Sequence, residues 1–371
     1  MTLLAVMSLA IWVYLLLGHG RFWQSGPDLP HRHPATAPSV AVVVPARDEA
    51  PVIRESLHSL LAQDYAGPFH VILVDDGSSD GTGDIARALG DPRLTVLTGA
   101  ARPARWSGKL WAVHQGIEAA GAADLLLLTD ADIVHDPSHL ASLLAQAESG
   151  GLDMVSEMVR LACDSWAERA LVPAFVFFFQ LLYPFTWVNK PSCRTAAAAG
   201  GTILVRRQAL ERVGGIAGVR GALIDDVALA KAIKRVGPIW LGHATQARSV
   251  RPYPGMGDIW RMITRTAYVQ LRYSPLLLVA TVLGMLVTWI VPPVVAMAGH
   301  GLGRLCGGLA WAMLALSYLP TLTRYQRSWL WAPFLPLVAA FYTAATVAAA
   351  INHHTGRGVA WKSRTYQANR A

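Results

Sequence analysis

The chain is poor in charged residues and in cysteine, and both shortages narrow its class. Of its 371 residues only 15% are Asp, Glu, Lys or Arg, whereas 53% are hydrophobic. A soluble core has no place for so much apolar sequence. The three cysteines, Cys163, Cys193 and Cys306, are widely spaced and show neither zinc-site spacing nor an obvious disulfide framework. They fit a globular part that stays reduced in the cytoplasm.

Two nucleotide-binding motifs are absent as well. The first predicted strand is followed by PARDEA (45–50) rather than G-x-G-x-x-G, which argues against a dinucleotide-dependent oxidoreductase. No G-x-x-x-x-G-K-[ST] occurs, which argues against a P-loop NTPase. The net charge of +8 is not organised as a basic run with interleaved aromatics. We therefore expect no nucleic-acid partner, and attraction to anionic lipid headgroups explains the charge as well.

The apolar residues are concentrated in four runs. These cover residues 3–18, 275–298, 302–321 and 329–351. Each approaches the ~20 residues that a helix needs to cross a ~30 Å hydrocarbon layer. One such run could be a buried core helix, but three in succession favour membrane spans. We predict an N-terminal transmembrane anchor at 1–20 and C-terminal transmembrane helices over 275–351.

The two ends of the chain give different indications of membrane orientation. The first run could be a cleaved signal peptide, but no basic residue precedes it and no clear cleavage site follows it. Arg21 and Arg32 behind it favour an uncleaved anchor with the following chain in the cytoplasm. Three further spans would place the basic tail 352–371 outside, although its Arg and Lys residues favour the inside. Either the run around Pro292 and Pro293 is re-entrant or interfacial, or a span is miscounted.

The middle of the chain alternates between two hydrophobic patterns. Strands are predicted over 40–44, 69–74, 94–97 and 125–129, and helices over 52–63, 82–90 and 109–120. This alternation predicts a parallel sheet with helices on both faces. Ligands of such sheets bind beyond the carboxyl ends of the strands, where the polar clusters of this sequence occur.

Two of these clusters follow the second and third strands. In DDGSSDGT (75–82), Asp75 or Asp76 could accept a hydrogen bond from a base or a ribose; the alternative is a turn with a helix N-cap at Ser79 or Asp80. Lys109 lies near a predicted helix start, where a cation opposes the helix dipole. A bound phosphate would compensate its charge, and a solvated surface lysine is the alternative.

The fourth strand leads directly into Asp130 and Asp132, in LLLLTDADI (125–133). A metal site, a helix cap and a turn all fit two carboxylates in this position. Carboxylate oxygens suit a hard divalent ion that shares its shell with water and substrate phosphates. A lone D-x-D is weak, but its position after the other clusters, at successive strand ends, favours the metal.

Taken together, these motifs resemble the family 2 glycosyltransferases. The resemblance is carried by VVVPARDEA, VDDGSSDGT, WSGKLWA, LLTDADI, AAAAGGTILVRRQALERVGG and LIDDVALA, and it covers residues 39–273. PAFVFFFQLLYPFTWVN and RMITRTAYVQLRYSPLLL look like the hopene-associated members of that family. The resemblance implies an α/β GT-A nucleotide-sugar-binding domain with transmembrane helices at both ends. It also implies a multi-pass protein of the bacterial inner membrane whose catalytic domain faces the cytoplasm.

The resemblance also implies roles for individual residues. Pro45, Arg47 and Glu49 would line the nucleotide pocket, and Asp76 would recognise the uracil or the ribose. Asp132, with Asp130, would coordinate Mg²⁺ or Mn²⁺ on the diphosphate. The full donor-binding set is Pro45, Arg47, Glu49, Asp76, Lys109, Asp130, Arg261 and Arg265.

Asp225 and Asp226 stand where inverting members keep an acidic pair that includes the catalytic base. Adjacent carboxylates repel each other, which can raise one pKa towards the range useful for a base. A cap for the helix VALAKAIKR is the alternative reading of the pair. We favour Asp226 over Asp225 as the base.

Related membrane members carry a Q-x-x-R-W element before their C-terminal spans. The matching place here reads WRMITRTAY (260–268), so Arg265 would stabilise the leaving diphosphate, with Arg261 nearby. Met262 and Thr266 depart from the element. The tryptophan helps polysaccharide synthases to hold a growing glycan, so its absence argues against a polymerase.

The segment 170–188 interrupts the globular domain. Pro173 and Pro184 make it too irregular for an ordinary span. We interpret it as an interfacial helix at the lipid headgroups, where it would shape the entrance by which a lipid reaches Asp226. A plain core helix is the alternative.

The expected function is transfer of a sugar from a nucleotide-sugar, with UDP as the expected nucleotide, to a lipid hydroxyl of a hopanoid-related acceptor, with inversion. Polyprenyl-phosphate, carotenoid-like and ceramide-like acceptors are alternatives. A processive polysaccharide synthase and a non-catalytic scaffold of hopanoid assembly are further ones. The membrane itself is an expected partner, and nothing in the sequence indicates a protein partner.

Overall fold

The computed structural model describes residues 1–355, 359–361 and 364–366. Its strands are β1 (Val40–Ala46), β2 (Phe69–Asp75), β3 (Leu94–Thr98), β4 (Leu125–Thr129), β5 (Ile133–His135), β6 (Met154–Arg160), β7 (Thr202–Arg206), β8 (Ile239–Ser249), β9 (Val359–Trp361) and β10 (Arg364–Tyr366). Its α-helices are α1 (Thr2–Leu17), α2 (Ile53–Leu61), α3 (Thr82–Arg87), α4 (Gly108–Ala119), α5 (His139–Ser149), α6 (Trp166–Leu182), α7 (Phe185–Val188), α8 (Arg207–Arg212), α9 (Asp225–Ile233), α10 (Met256–Gln270), α11 (Pro275–Met285), α12 (Val291–Ala298), α13 (Gly301–Arg324) and α14 (Leu335–His354).

The chain divides into two compact units. The helical unit consists of Met1–Gly26, Cys163–Thr186 and Tyr253–Ala371. The sheet unit consists of Pro27–Ala162 and Trp187–Pro252. The segments 163–186 and 253–273, which the sequence analysis places within the globular domain 39–273, therefore group with the apolar helices.

The sheet unit is built on one eight-stranded sheet, ordered β3-β2-β1-β4-β7-β6-β8-β5. The pairs among β3, β2, β1 and β4 are parallel, as the sequence predicts. The expectation of a wholly parallel sheet is wrong, because β7 is antiparallel to β4 and to β6, and β5 is antiparallel to β8. Thr202, the first residue of β7, pairs with Thr129, the last of β4. The chain thus enters β7 at the edge where β4 ends, which brings the glycines before β7 to that edge.

The predicted strands and helices of this unit are confirmed, with small differences at their ends. The helix predicted over 82–90 ends at Arg87, and Gly90 follows it with a φ of +64°. The helix predicted over 52–63 begins at Ile53, so Pro51 lies in the turn before it. Its missing N–H costs nothing there.

The central strands of the sheet unit are almost entirely apolar, and they form its core. All seven residues of β1 and all five of β4 are buried, which is typical of strands covered on both faces. The side chains Leu57 of α2 and Leu140 of α5 pack into the same cluster. At Gly116 of α4 an added Cβ would lie 2.4 Å from Val43 Cγ1, so this glycine lets α4 pack closely against β1.

The helical unit contains three helices long and apolar enough to cross a membrane. They extend over Pro275–Ala298, Gly301–Arg324 and Trp329–His354 and match the three predicted C-terminal runs. Helix α1 is apolar but has 16 residues, which corresponds to about 24 Å of helix. It is thus shorter than the hydrocarbon layer of about 30 Å, and the N-terminal anchor stays a prediction.

Pro292 and Pro293 do not interrupt their helix. A π-helical turn, Leu286–Ile290, precedes them and the chain continues as α12. Pro292 has no N–H to donate to the carbonyl of Thr288, four residues earlier. The indole Nε1 of Trp12 donates to that oxygen instead, at 2.8 Å. The run therefore forms one continuous helix, which argues against a re-entrant segment.

The segment 170–188 is more regular than expected at Pro173, whereas the predicted irregularity at Pro184 is seen, since α6 ends at Leu182 and α7 begins at Phe185. Its position at the lipid headgroups stays a prediction. Helix α6 continues through Pro173 without a break, and Ser165 and Glu168 form a capping box at its start. Phe177 is fully buried in the aromatic core of the helical unit, 5.2 Å from the Tyr318 ring and 5.4 Å from the Phe22 ring. The burial of this segment supports the alternative of a core helix.

Half of the basic tail predicted over 352–371 lies outside the described residues. Strands β9 and β10 form an antiparallel pair there. Arg357, Lys362 and Arg370 are outside the described residues, and the side of the membrane on which the tail lies stays a prediction.

Candidate active site

Hydrogen bonds join the loops after β1 and β2 at the carboxyl edge of the sheet. The Glu49 N–H donates to Thr82 Oγ1 at 2.8 Å, and the Ala50 N–H donates to Asp80 Oδ2 at 2.9 Å. These bonds satisfy backbone donors that a turn would otherwise leave exposed. The two loops therefore form one rigid wall.

Arg47 and Asp76 meet within this wall. Arg47 Nη1 donates to the Asp76 carbonyl oxygen and lies 3.9 Å from Asp76 Oδ2. The Asp76 N–H donates to the Ala46 carbonyl at 2.9 Å, and Asp76 is buried. The two residues that the resemblance assigns to the nucleotide pocket are thus held together by the fold.

The turn alternative for DDGSSDGT is seen at Asp75, and the cap alternative is seen only in part, at Asp80. Asp75 Oδ1 accepts from the Ser78 N–H at 2.9 Å, which closes a turn. The N-cap of α3 is Gly81, with a φ of +87°, rather than Ser79 or Asp80. Asp80 Oδ1 nevertheless accepts from the Thr82 N–H at 3.0 Å, so its side chain stabilises the start of the helix.

Lys109 meets carboxylates at the start of α4. Ser107 caps the helix by accepting from the Leu110 N–H. Lys109 Nζ lies 2.8 Å from Asp130 Oδ1 and 3.4 Å from Asp225 Oδ2. Burial lowers the pKa of Lys109, but the two aspartates outweigh it and the pKa is raised. The compensating anions in this structure are thus side chains of the protein itself, and the surface-lysine alternative is wrong.

Asp226 completes this group at the start of α9. Its Oδ2 accepts from the Gly200 N–H at 3.0 Å and its Oδ1 from the Val227 N–H at 2.7 Å. Burial, and then the charge of Asp225, raises the pKa of Asp226 to about 7, although Lys109 opposes the shift. The N-cap position belongs to Ile224, so neither aspartate is an N-cap residue. We call Lys109, Asp130, Asp225 and Asp226 the lysine cluster.

These residues line one cleft of the sheet unit. Pro45, Lys109, Asp130, Gly200, Asp225 and Asp226 all contribute to its wall. The cleft has apolar walls at Val113, Ile203 and Leu229. A carboxyl group with a pKa near neutrality in such a surrounding is suited to accept a proton.

A second charged group surrounds Asp132. Arg251, which follows β8, donates from Nε to Asp132 Oδ2 at 2.9 Å and from Nη2 to Glu49 Oε1 at 2.6 Å. The Ser249 hydroxyl donates to the same Asp132 oxygen at 2.9 Å. We call Glu49, Asp132, Ser249 and Arg251 the arginine cluster. Sequence reasoning finds two of the four and misses Ser249 and Arg251, which lie at the end of β8 and just beyond it and belong to no motif.

The residues predicted to bind metal fit a divalent ion in part. Within the described residues no three His, Cys, Asp or Glu side chains converge as a ready ligand set. Asp130 and Asp132 each give one oxygen to a cation, whereas Asp130 Oδ2 and Asp132 Oδ1 have no hydrogen-bond donor in that part of the chain. Two such oxygens suit Mg²⁺ or Mn²⁺ that keeps water and phosphate oxygens in its shell.

A buried chain of polar side chains behind the cleft was not anticipated. Glu157 Oε2 lies 2.5 Å from His139 Nε2, and the Nδ1 atoms of His139 and His135 are 2.8 Å apart. His135 Nε2 lies 3.1 Å from Thr129 Oγ1, one residue before Asp130. Burial, and then His139, lowers the pKa of His135 well below its ordinary value. The His-x-x-x-His spacing of His135 and His139 was the available signal.

Arg261 and Arg265 are the predicted donor-binding residues that lie outside the sheet unit. Both belong to α10 of the helical unit. Arg261 is exposed and pairs with Asp258 at 2.5 Å, one helical turn earlier. Arg265 is exposed as well. Their assignment to the donor stays a prediction.

Comparison with known proteins relates the middle of the chain to one family. Residues 41–214 match the family model described as glycosyl transferase family 2. The chain is 35% identical over 95 residues to a 4,4'-diaponeurosporenoate glycosyltransferase of Staphylococcus aureus, covering 26% of this chain and 24% of that protein. It is 33% identical over 138 residues to an undecaprenyl-phosphate 4-deoxy-4-formamido-L-arabinose transferase of Serratia proteamaculans, covering 35% of this chain and 40% of that protein.

A similar fold occurs in a solved structure. A mannosyltransferase of Pyrobaculum calidifontis, in complex with GDP-Man and Mn²⁺, has a TM-score of 0.61 and 22% identity, covering 94% of this chain and 98% of that one. This likeness confirms the predicted GT-A-like fold. The chain spans well under half of the length of the curated relatives it matches.

Proposed function

We propose that the protein is a membrane-bound inverting glycosyltransferase that moves a sugar from a nucleotide-sugar to a lipid hydroxyl. The observation that carries this proposal is Asp226, a carboxyl group with a pKa of about 7 that the Gly200 N–H holds in the cleft. The family 2 match supports the class of reaction. Three apolar helices support a position at the membrane, where a lipid acceptor is found.

In the proposed reaction Asp226 takes the proton of the acceptor hydroxyl. The acceptor oxygen attacks the anomeric carbon, and the bond from that carbon to the nucleotide diphosphate breaks, with its electron pair leaving on the diphosphate. A single displacement of this kind inverts the anomeric centre. Lys109, held by Asp130 and Asp225, places a positive charge in the cleft where the leaving group becomes more negative.

The donor would lie along the wall formed by the loops after β1 and β2. Arg47 and Asp76 would contact the nucleoside, beside Pro45 and Glu49. Arg261 and Arg265 are proposed to contact the diphosphate on the strength of the family resemblance. Asp130 and Asp132 would hold Mg²⁺ or Mn²⁺, which supplies Lewis-acid stabilisation of a diphosphate when bound.

The proposed acceptor is a hopanoid-related lipid, and UDP is the proposed nucleotide. The acceptor rests on the resemblance of 173–189 and 261–278 to the hopene-associated members. The relatives named for a carotenoid acid and for undecaprenyl phosphate support a lipid in general. We propose that the protein is multi-pass in the bacterial inner membrane with the sheet unit in the cytoplasm.

Calorimetry of the purified full-length chain with UDP and with GDP, each with and without Mn²⁺, tests the donor site. We expect UDP to bind in the presence of Mn²⁺ and Asp132→Asn to weaken that binding by about tenfold or more, because a neutral amide is a poor ligand for a hard cation. Asp136→Asn is the matched control, since Asp136 is an exposed carboxylate at the opposite end of the short strand β5.

Each outcome of this titration has a meaning. Preference for GDP over UDP would replace the nucleotide but keep the reaction. Absence of binding to either nucleotide with any divalent ion, in folded protein, would contradict the proposed function. An equal loss in Asp132→Asn and Asp136→Asn would contradict the assignment of Asp132.

A further inference from the structure

The arginine cluster joins three segments that are far apart in sequence. Arg251 forks between Asp132 and Glu49, and its backbone N–H donates to Ser249 Oγ at 3.3 Å. The side chains of Asp132 and Glu49 are only 10% and 9% exposed, whereas that of Arg251 is 31% exposed. The carboxylates are therefore largely withdrawn from solvent, whereas the guanidinium is partly exposed to it.

Charge explains why the cation is needed there. Two carboxylates withdrawn from water repel each other unless a cation lies between them. Arg251 supplies one positive charge to two negative ones, so the cluster keeps a formal charge of −1. A divalent ion that binds Asp132 would bring two further positive charges close to the guanidinium. The ion and Arg251 therefore compete for the same carboxylate.

The planar guanidinium fork fits a phosphate as well as it fits a carboxylate. When an ion takes over the neutralisation of Asp132, the Nε donor of Arg251 loses its partner. A diphosphate that binds with the ion offers that donor a new acceptor of the same geometry. Lysine would not satisfy both partners in the same way, because its ammonium group is a point charge.

We propose that Arg251 is an exchangeable counter-ion of the donor site: it neutralises Asp132 and Glu49 before the donor binds, and it transfers a donor group to the diphosphate when a divalent ion binds Asp132. This inference rests on the proposed function. It predicts that metal and nucleotide bind cooperatively. The ion displaces Arg251 from Asp132, and the diphosphate provides a new acceptor for the displaced guanidinium.

The test measures Mn²⁺ binding alone and UDP binding at saturating Mn²⁺, by calorimetry on the full-length chain in detergent. In Arg251→Gln we expect Mn²⁺ alone to bind at least about fivefold more tightly, because removing one charge about 4 Å away is worth that much even at the dielectric constant of water. UDP in the presence of Mn²⁺ is expected to bind about fivefold or more weakly, because a charge-assisted hydrogen bond is lost. The two affinities therefore move in opposite directions.

Two further variants separate this role from a structural one. Arg251→Lys keeps the charge without the fork, so its Mn²⁺ affinity should stay near that of the wild type while its UDP affinity falls. Arg248→Gln is the matched control, because Arg248 lies in β8 only three residues before Arg251 and pairs with exposed Glu55 at 3.2 Å. It should change neither affinity. Circular dichroism and thermal unfolding establish that each variant is folded.

The outcomes distinguish a failure of this inference from a failure of the proposed function. If Arg251→Gln weakens both affinities together, or changes neither, Arg251 is structural and the exchange is wrong, while UDP binding by the wild type still supports the proposed function. If the wild type binds no nucleotide with any divalent ion, the proposed function fails and the exchange fails with it.

Discussion

The lysine cluster and the arginine cluster lie around two aspartates that are only two residues apart. Around Asp130 a single cation, Lys109, faces three carboxylates, and the pKa of Asp226 rises to about 7. Around Asp132 a forked cation contacts both carboxylates of its cluster directly. The ratio and geometry of the charges differ, and so does the chemistry that each cluster can perform. In the lysine cluster one cation faces three carboxylates and the pKa of Asp226 is raised, which suits proton transfer. In the arginine cluster the cation hydrogen-bonds both carboxylates, which suits them to a role as ligands.

The largest effect is expected when the proposed base in the lysine cluster is neutralised. Asp226→Asn should lower kcat by about 10²–10⁴-fold, because an amide does not accept the acceptor's proton. Binding of UDP with Mn²⁺ should remain within about threefold of the wild type. Single-turnover transfer from the UDP-sugar, measured beside calorimetry, checks both.

Asp225→Asn serves as the control for this substitution. It should retain far more activity than Asp226→Asn. A larger loss in Asp225→Asn, with Asp226→Asn active, would reverse the assignment of the base and contradict our preference.

Removing the charge of Asp225 should lower the pKa of Asp226 and so test how charge repulsion sets it. The acid limb of the pH–rate profile should have its midpoint near pH 7, because Asp226 acts as a base only above its pKa. In Asp225→Asn that limb should shift towards lower pH by about one unit, because a nearby like charge raises a carboxyl pKa. The profile of kcat/KM against pH measures this shift. An unchanged limb would show that Asp225 does not set the pKa of Asp226.

A smaller effect, on the pH dependence of stability, is expected at His135, which is buried against His139 and Thr129. Its pKa lies below that of an unfolded histidine, so the unfolded chain binds the extra proton first as the pH falls. Stability attributable to His135 is therefore present above about pH 6.5 and is lost as the pH falls below that value.

The measurement is thermal unfolding of the wild type and of His135→Gln between pH 7.5 and 5 in one detergent. We expect the wild type to lose on the order of 1 kcal/mol more than the variant over this range. Asp226, whose pKa is raised, acts in the opposite direction in both proteins and cancels in the difference. Equal losses in the two proteins would show that His135 has the same pKa in the folded and unfolded states, which contradicts the prediction.

Local pattern predicted the parallel half of the sheet and the residues at its edge. The buried runs of β1, β2 and β4 have the period and length of strands, and the polar residues after them are visible without any tertiary information. The pairing of Asp132 with Arg251 spans 119 residues and depends on the antiparallel entry of the chain into β7 and the later return of β8. No local period encodes such a contact.

Proline was misleading in the helical unit for a related reason. Pro173 and Pro292 predict breaks because each removes a backbone donor. Whether a helix breaks there depends on what else meets the freed carbonyl. Trp12 supplies that donor for Thr288 from a helix 276 residues away, which the sequence around Pro292 does not reveal.

That hydrogen bond also bears on the order of folding during synthesis. Trp12 is made near the start of translation, and its partner follows 276 residues later, an interval on the order of 15–55 s at common rates of chain elongation. The whole sheet unit is synthesised within that interval. The first helix is therefore made long before this partner, and the sheet unit has time to fold in between. A ribosome stalled before residue 288 would expose a protein whose eight-stranded sheet is complete and whose helical unit is not.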